Sequence, residues 1–220
     1  MYAQTPRTTA TRHQDRVGYD MTAAHTVLDA ALVCHLGLVA PDGTPRVLPM
    51  LHVRVGETLY LHGSSGAAVA LAARGTGELP VCVTATLVDG VVLARSAMHH
   101  STNYRSVVVL GSARLVTDGA EKERALAALV DHVVNGRSGA CRPPSAKELA
   151  ATSVLALPLA EVSVKTRTGG PVDDPEDIGL PYWAGVLPLR IVSGAPEPAE
   201  DLVAGGMPAP ALTAGAIVGA

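Results

Sequence analysis

A polar cluster made of His99, His100, Ser101, Asn103, Tyr104, Arg105 and Ser106 runs directly into the β-branched stretch Val107, Val108, Val109 and Leu110. The apolar stretch reads as a strand buried on both faces, resuming past Gly111 through Leu115 and Val116. Polar side chains at the mouth of such a strand are held in place, as a ligand with phosphate and ring edges requires. Arg105 can give paired hydrogen bonds to a phosphate. Asn103 and Ser106 can address ring carbonyls or nitrogens. The same residues could also satisfy one another in a structural loop.

Three further segments could carry chemistry. His62-Gly63-Ser64-Ser65-Gly66 ends a strand and opens a helix, so backbone N–H groups and serine hydroxyls converge where a phosphate could sit. It reads equally as an ordinary serine-capped turn. Arg46-Val47-Leu48-Pro49-Met50 carries a proline inside a strand, which places that strand at an edge or a bulge with free backbone groups. Lys165-Thr166-Arg167-Thr168-Gly169-Gly170 joins a basic pair to a flexible turn that could close over an anion or lie solvated. Trp183, the single tryptophan, could cover a flat ligand or plug a subunit interface.

Several classes are disfavoured. The net charge of −3 leaves no basic excess for nucleic acid. No run approaches the ~18 apolar residues of a membrane-spanning helix. Cys34, Cys82 and Cys141 are odd in number and far apart, which reads as reduced thiols in a cytoplasmic protein. Histidines are present without HExxH or HxH spacing, so no metal site is expected. No GxSxG, no Cys–His pattern and no Walker loop occurs. The acidic stretch Asp173-Asp174 with Glu176-Asp177 reads as a solvated loop.

The elements that must position these residues are mostly strands. The chain has 220 residues, is 48% apolar and lacks phenylalanine, so its core is built from Val, Leu and Ala. Asp20 or Thr22 caps a helix through Leu32. Strands follow over Val33–Ala40, Arg46–Val55 and Leu59–His62, then a helix over Ala67–Ala73. Pro80–Leu87 is a strand, Asp89-Gly90 a hairpin turn into Val91–Ala94, and Arg105–Val116 the long strand. An amphipathic helix spans Glu121–Val134, Ser145 caps a short one to Ala151, and Val154–Lys165 is the last strand. About six strands joined mostly by short turns argue a mainly β fold with flanking helices, an antiparallel barrel or sandwich. Residues 1–18 are expected as a flexible leader, 19–190 as the folded domain and 191–220 as a Pro/Ala/Gly-rich tail.

These pieces, in this order, resemble the pyridoxamine 5′-phosphate oxidase-like superfamily of FMN-binding split barrels, in its flavin-nucleotide-binding and nitroimidazole-resistance branch. Three stretches carry the likeness: Leu59–Ser64; the run VCVTATLVDGVVLARSAMHHSTNYRSVVVLGSARLV; and KTRTGGPVDD followed by Tyr182–Val186. The resemblance spans about residues 19 to 186. It implies a six-stranded antiparallel split barrel and a homodimer with FMN at the interface. It also implies that the strand Arg46, Val47, Leu48, Pro49, Met50 lines the flavin ring and that the loop His62–Gly66 receives the phosphate. Arg105-Ser106-Val107 is similar to the Arg-Gln-Val of the true oxidases, with Ser106 where their glutamine touches the flavin.

The chain also departs from the true oxidases. It carries Ala67-Ala68 where they have Arg-Lys after the phosphate loop, and Leu51 where they have Lys. Phosphate charge would therefore fall to Arg105, Lys165 or Arg167, and vitamin B6 oxidation is not expected. The expected function is an FMN-dependent oxidoreductase acting on a small molecule, for example a nitro compound. His62 and His100 are its candidate proton donors, and Ser101, Asn103, Tyr104 and Trp183 complete the cofactor set. The alternative is a non-catalytic binding or sensing protein for FMN, haem or a deazaflavin on the same barrel.

Overall fold

The structure is a computed structural model that describes residues 1–40, 42–66, 68–203 and 209. Pro41 of the expected turn, Ala67 of the expected helix and most of the expected tail beyond Val203 lie outside the described residues. The elements in chain order are β1 (Val17–Gly18), α1 (Met21–Ala30), β2 (Val33–Val39), β3 (Pro45–Val55), β4 (Thr58–Ser64), α2 (Ala68–Thr76) and β5 (Glu78–Leu93). There follow β6 (Ser101–Leu115), α3 (Gly119–Val133), α4 (Ala146–Ala151), β7 (Thr152–Pro158), β8 (Glu161–Arg167) and β9 (Gly185–Pro188).

All pairings are antiparallel, and the order β6-β7-β4-β3-β2-β5 closes on itself through β5–β6. That ring is a six-stranded split barrel with β1, β8 and β9 attached at its rim. The split arises because β6 changes partner. Its Tyr104–Leu110 half pairs with β8, whereas Arg114 and Leu115 pair with β7. Gly111 stands at the changeover, where a Cβ would come within 2.9 Å of Leu157 Cδ1. Only a residue without a side chain lets the two strands approach this closely.

Alternation places Cys34 and Leu36, Leu59 and Leu61, Val81 and Val83, Val107 and Val109, and Val162 and Val164 inside the barrel. Burial in this apolar core pushes the Cys34 thiol up to about 12. Helix α1 starts on Asp20, whose carboxylate accepts from Ala23 N at 2.7 Å, and packs on β3, β5, β6 and β8. Helix α3 starts on Asp118 in the same way. It covers the outer face of β7, so Val154 and Ala156 are buried in a second small cluster.

Five expectations are corrected. Val107 and Val109 are fully buried, but Val108 and Leu110 are only half-buried, so this strand alternates instead of being covered on both faces. The strand begins at Ser101, not Arg105, so the polar cluster is itself part of the sheet. Asp89-Gly90 is a bulge inside one continuous strand, because residues on both sides of it stay paired to β6, with Val88 opposite Tyr104 and Gly90 opposite Asn103. Val154–Lys165 is two strands, β7 and β8, which separate after Pro158 and take different partners. The first eighteen residues lie against the barrel: Tyr2 is buried with its hydroxyl 2.9 Å from Glu57 and 3.0 Å from His25, Arg7 pairs with Glu161, and Val17 pairs with Lys165. Residues 191–203 are exposed.

Candidate functional site

Strands β3 and β4 are paired from Val55 and Thr58 to His52 and Leu61, and then part. Beyond that point β3 keeps only β2, from Pro45 to Leu51, and β4 keeps only β7, from His62 to Ser64. Each strand therefore turns an unpaired backbone edge to the same gap. Arg46, Val47, Leu48, Pro49 and Met50 supply one side of it, with Val47 and Leu48 exposed. His62, Gly63, Ser64, Ser65 and Gly66 supply the other side. There Ser65 N donates to Ala151 O at 2.8 Å, and Gly66 N donates to Ser64 Oγ at 3.3 Å. The proline signal for a free edge thus locates the gap correctly, and the two segments singled out by sequence meet at it.

His62 is the titratable side chain of the β4 side of this gap. Its Nδ1 is buried with no hydrogen-bond partner. A buried polar atom left unpaired is costly in an ordinary core, and a bound group that meets the imidazole would remove that cost. Arg46 is exposed and forms an ion pair with Asp42 at 3.6 Å.

The second set lies elsewhere on the sheet. Thr86, Ser106 and Lys165 form one cross-strand row on the outer face of β5, β6 and β8, and Thr86 Oγ1 lies 3.0 Å from Ser106 Oγ. Lys165 is exposed, and its side chain has no hydrogen-bond partner among the described residues. Arg105 projects to the opposite face, where Asp89 binds it twice, at 2.9 and 2.7 Å. This contact holds the guanidinium charged and engages its Nε and one Nη2 donor, leaving Nη1 without a partner among the described residues. Asp89 already balances the charge of Arg105.

Asn103 is spent on the chain itself: its Oδ1 accepts from Arg167 Nη1 and its Nδ2 donates to Gly169 O at 3.1 Å. Arg167 is buried and also donates to Gly170 O at 3.0 Å, so it closes its own turn and leaves Lys165 as the available cation of that basic pair. Ser101 and Tyr104 are half-buried in β6. Trp183 is 62% exposed, with its indole lying over Gly185.

The expected proton donors do not meet in the chain. His62 pairs with Val154, whose carbonyl also receives Val116 N just past the end of β6, whereas His100 precedes the start of that fifteen-residue strand. His100 Nδ1 is 2.9 Å from Ser96 O, and His99 Nε2 is 3.1 Å from Asp174 Oδ2. Asp173, expected as solvated, accepts from Arg95 N at 2.8 Å and from Arg95 Nη1 at 2.7 Å. Sequence reading did not pair Asp89 with Arg105 or Asp173 with Arg95, because nothing beside an Asp in the sequence signals a partner sixteen or seventy-eight residues away. Among the described residues no group of three or more His, Cys, Asp or Glu side chains could hold a metal ion. No described helix is long and apolar enough to cross a membrane.

A closed six-stranded ring with flanking strands and an open β3–β4 gap defines the class of flavin-type split barrels. The pyridoxamine 5′-phosphate oxidase family matches residues 20–166, and the chain belongs to that family. No curated protein matches the chain. Among solved structures, the flavocytochrome Anf3 from Azotobacter vinelandii is 39% identical, with 94% of each chain covered and a TM-score of 0.86. The FAD and haem binding protein from Mycobacterium smegmatis is 37% identical over 89% of this chain and 94% of that one, with a TM-score of 0.82. A candidate 5-nitroimidazole antibiotic resistance protein from Bacteroides thetaiotaomicron is 21% identical over 68% of this chain and 85% of that one, with a TM-score of 0.57, and shares the fold.

Proposed function

We propose that this protein binds a flavin and a haem and acts as a cytoplasmic electron-transfer oxidoreductase. The observation that carries this is near-full-length similarity, at 39% and 37% identity, to a flavocytochrome and to an FAD and haem binding protein. The FAD and haem binding protein favours FAD over the FMN expected from sequence and adds haem as a partner cofactor. When bound, a flavin supplies two-electron chemistry and a haem one-electron chemistry.

The chain's own contribution is to hold and orient these groups. The free backbone edge of Arg46–Met50 suits the hydrogen-bonding rim of a flavin ring. His62, with an unpartnered ring nitrogen beside an open gap, suits iron ligation. Of the candidate cations Lys165 is left without a side-chain partner among the described residues, and the exposed Arg46 would exchange Asp42 for phosphate. A homodimer belongs to this reading. Outer-face rows such as Val47–Gly37–Cys82–Leu110 run across four strands with Val33, Val39 and Val47 exposed, an apolar area of the kind that marks an interface.

The test is the visible spectrum of the purified protein, followed by extraction and identification of its chromophores. Flavin absorption together with a haem Soret band is the expected result. A colourless protein that leaves the spectra of added FAD and haemin unchanged overturns the proposal. Reduction of an artificial acceptor at the expense of NAD(P)H separates an enzyme from a cofactor carrier.

A further inference from the structure

A cleft of about 470 Å³ lies away from the β3–β4 gap. Its walls are residues 30–33 at the end of α1, residues 86–89 at the β5 bulge, Arg105, and residues 189–192 just after β9. Its size falls within the range of small-molecule sites.

Several features build it. The bulge turns Asp89 onto Arg105 and interrupts the strand pairing at that point. The Asp89 carbonyl accepts from Leu189 N at 3.0 Å, which anchors the segment forming the outer wall. The end of α1 is pinned from behind, because His52 Nε2 donates to Leu28 O at 2.9 Å and His132 Nε2 to Ala31 O at 3.0 Å. The walls are otherwise aliphatic, from Ala31, Leu32, Leu87, Val88 and Ile191.

The lining charges do not balance. Arg105 and Arg190 face one carboxylate, Asp89. Arg105 keeps its Nη1 without a partner among the described residues, and its side chain is 25% exposed. An apolar cleft with one surplus positive charge selects a molecule with an apolar body and a single anionic group. No histidine, cysteine, methionine or tyrosine lines it, so it offers no usual axial ligand to a haem iron.

We propose that this cleft is a second small-molecule site that binds a monoanionic amphiphile, an aromatic or branched carboxylate whose carboxylate meets Arg105 Nη1 and Arg190. This site is independent of the flavin and haem reading.

The test is calorimetric titration of the full chain with 2-naphthoate and with the neutral 2-naphthamide, each in the absence and presence of saturating FAD. Naphthoate is expected to bind about tenfold more tightly than the amide, a difference of one charge-assisted contact. FAD is expected not to displace it. Val88→Trp, at a half-exposed strand position, fills the cleft and abolishes binding. Arg190→Gln, in the exposed segment, brings naphthoate down to the affinity of the amide. Equal binding of acid and amide, naphthoate binding retained in Val88→Trp, or displacement by FAD each overturns the proposal. Failure of the flavin reading shows instead as no FAD binding, with naphthoate binding intact.

Discussion

Asn103 and Arg167 hold each other between β6 and β8, the amide oxygen accepting from the guanidinium of a residue that is only 7% exposed. The contact ties the polar cluster at the head of β6 to the Gly169-Gly170 turn, and it uses a residue whose type suggested a ligand contact. A buried guanidinium that loses its acceptor is left partly unpaired. Asn103→Ala is therefore expected to cost about 2 kcal/mol of stability, seen as a lower urea midpoint at unchanged slope. Cofactor content should be retained. Loss of flavin with stability unchanged would return Asn103 to the binding site.

How far the sequence could be read depends on the range of the interactions. Helix α1, β2, β3 and β4 were legible because Asp20 caps locally, Gly43 and Gly56 turn locally, and side chains alternate along each strand. The β3 edge was legible because a proline forbids a ladder hydrogen bond wherever it stands. Asp89-Gly90 misled because that pair favours a hairpin turn in isolation, and only pairing with β6 on both sides makes it a bulge. The docking of Tyr2 depends on Glu57, fifty-five residues away. The partition of Arg105 and Ser106 onto opposite faces follows from register, which the sequence of one strand does not contain.

Gly90 is fixed by β9. A Cβ there would lie 3.1 Å from both Leu187 O and Val186 Cγ1. Gly90→Ala should push β9 off β5 at a cost of about 1–3 kcal/mol. The Leu189 amide, which donates to Asp89 O, should then exchange hydrogen faster than the amides of β2. Unchanged protection at Leu189 would show that β9 yields without detaching.

His62→Ala tests the iron-ligand role directly. The purified variant is expected to lose most of its Soret absorption relative to its flavin absorption, and added imidazole should restore part of it. The side chain is half-buried at the end of β4, so the fold should tolerate the change. An undiminished Soret band would move iron ligation to another histidine.

His52 sets the acid limit of the fold. It is fully buried in β3, with its ring centroid 5.3 Å from that of His132. Donation to Leu28 O places the proton of the neutral ring on Nε2 and leaves Nδ1 bare. Burial in the core lowers its pKa from 6.5 to about 4, with the Leu28 carbonyl and Asp29 opposing and His132 assisting. Above pH 6.5 the ring is neutral in folded and unfolded chains alike, so it contributes no pH dependence. Below that value the unfolded chain takes up a proton that the folded chain refuses. Stability therefore falls with falling pH until the folded ring protonates near pH 4, by up to about 3 kcal/mol. Glutamine at this position keeps a donor for Leu28 O and cannot titrate. Urea midpoints at pH 7, 6 and 5 should therefore decline less for His52→Gln than for the natural chain, with the carboxylate contributions common to both. Parallel declines would mean that His52 protonates within the folded state without penalty, and that the acid sensitivity of the barrel comes from its carboxylates alone.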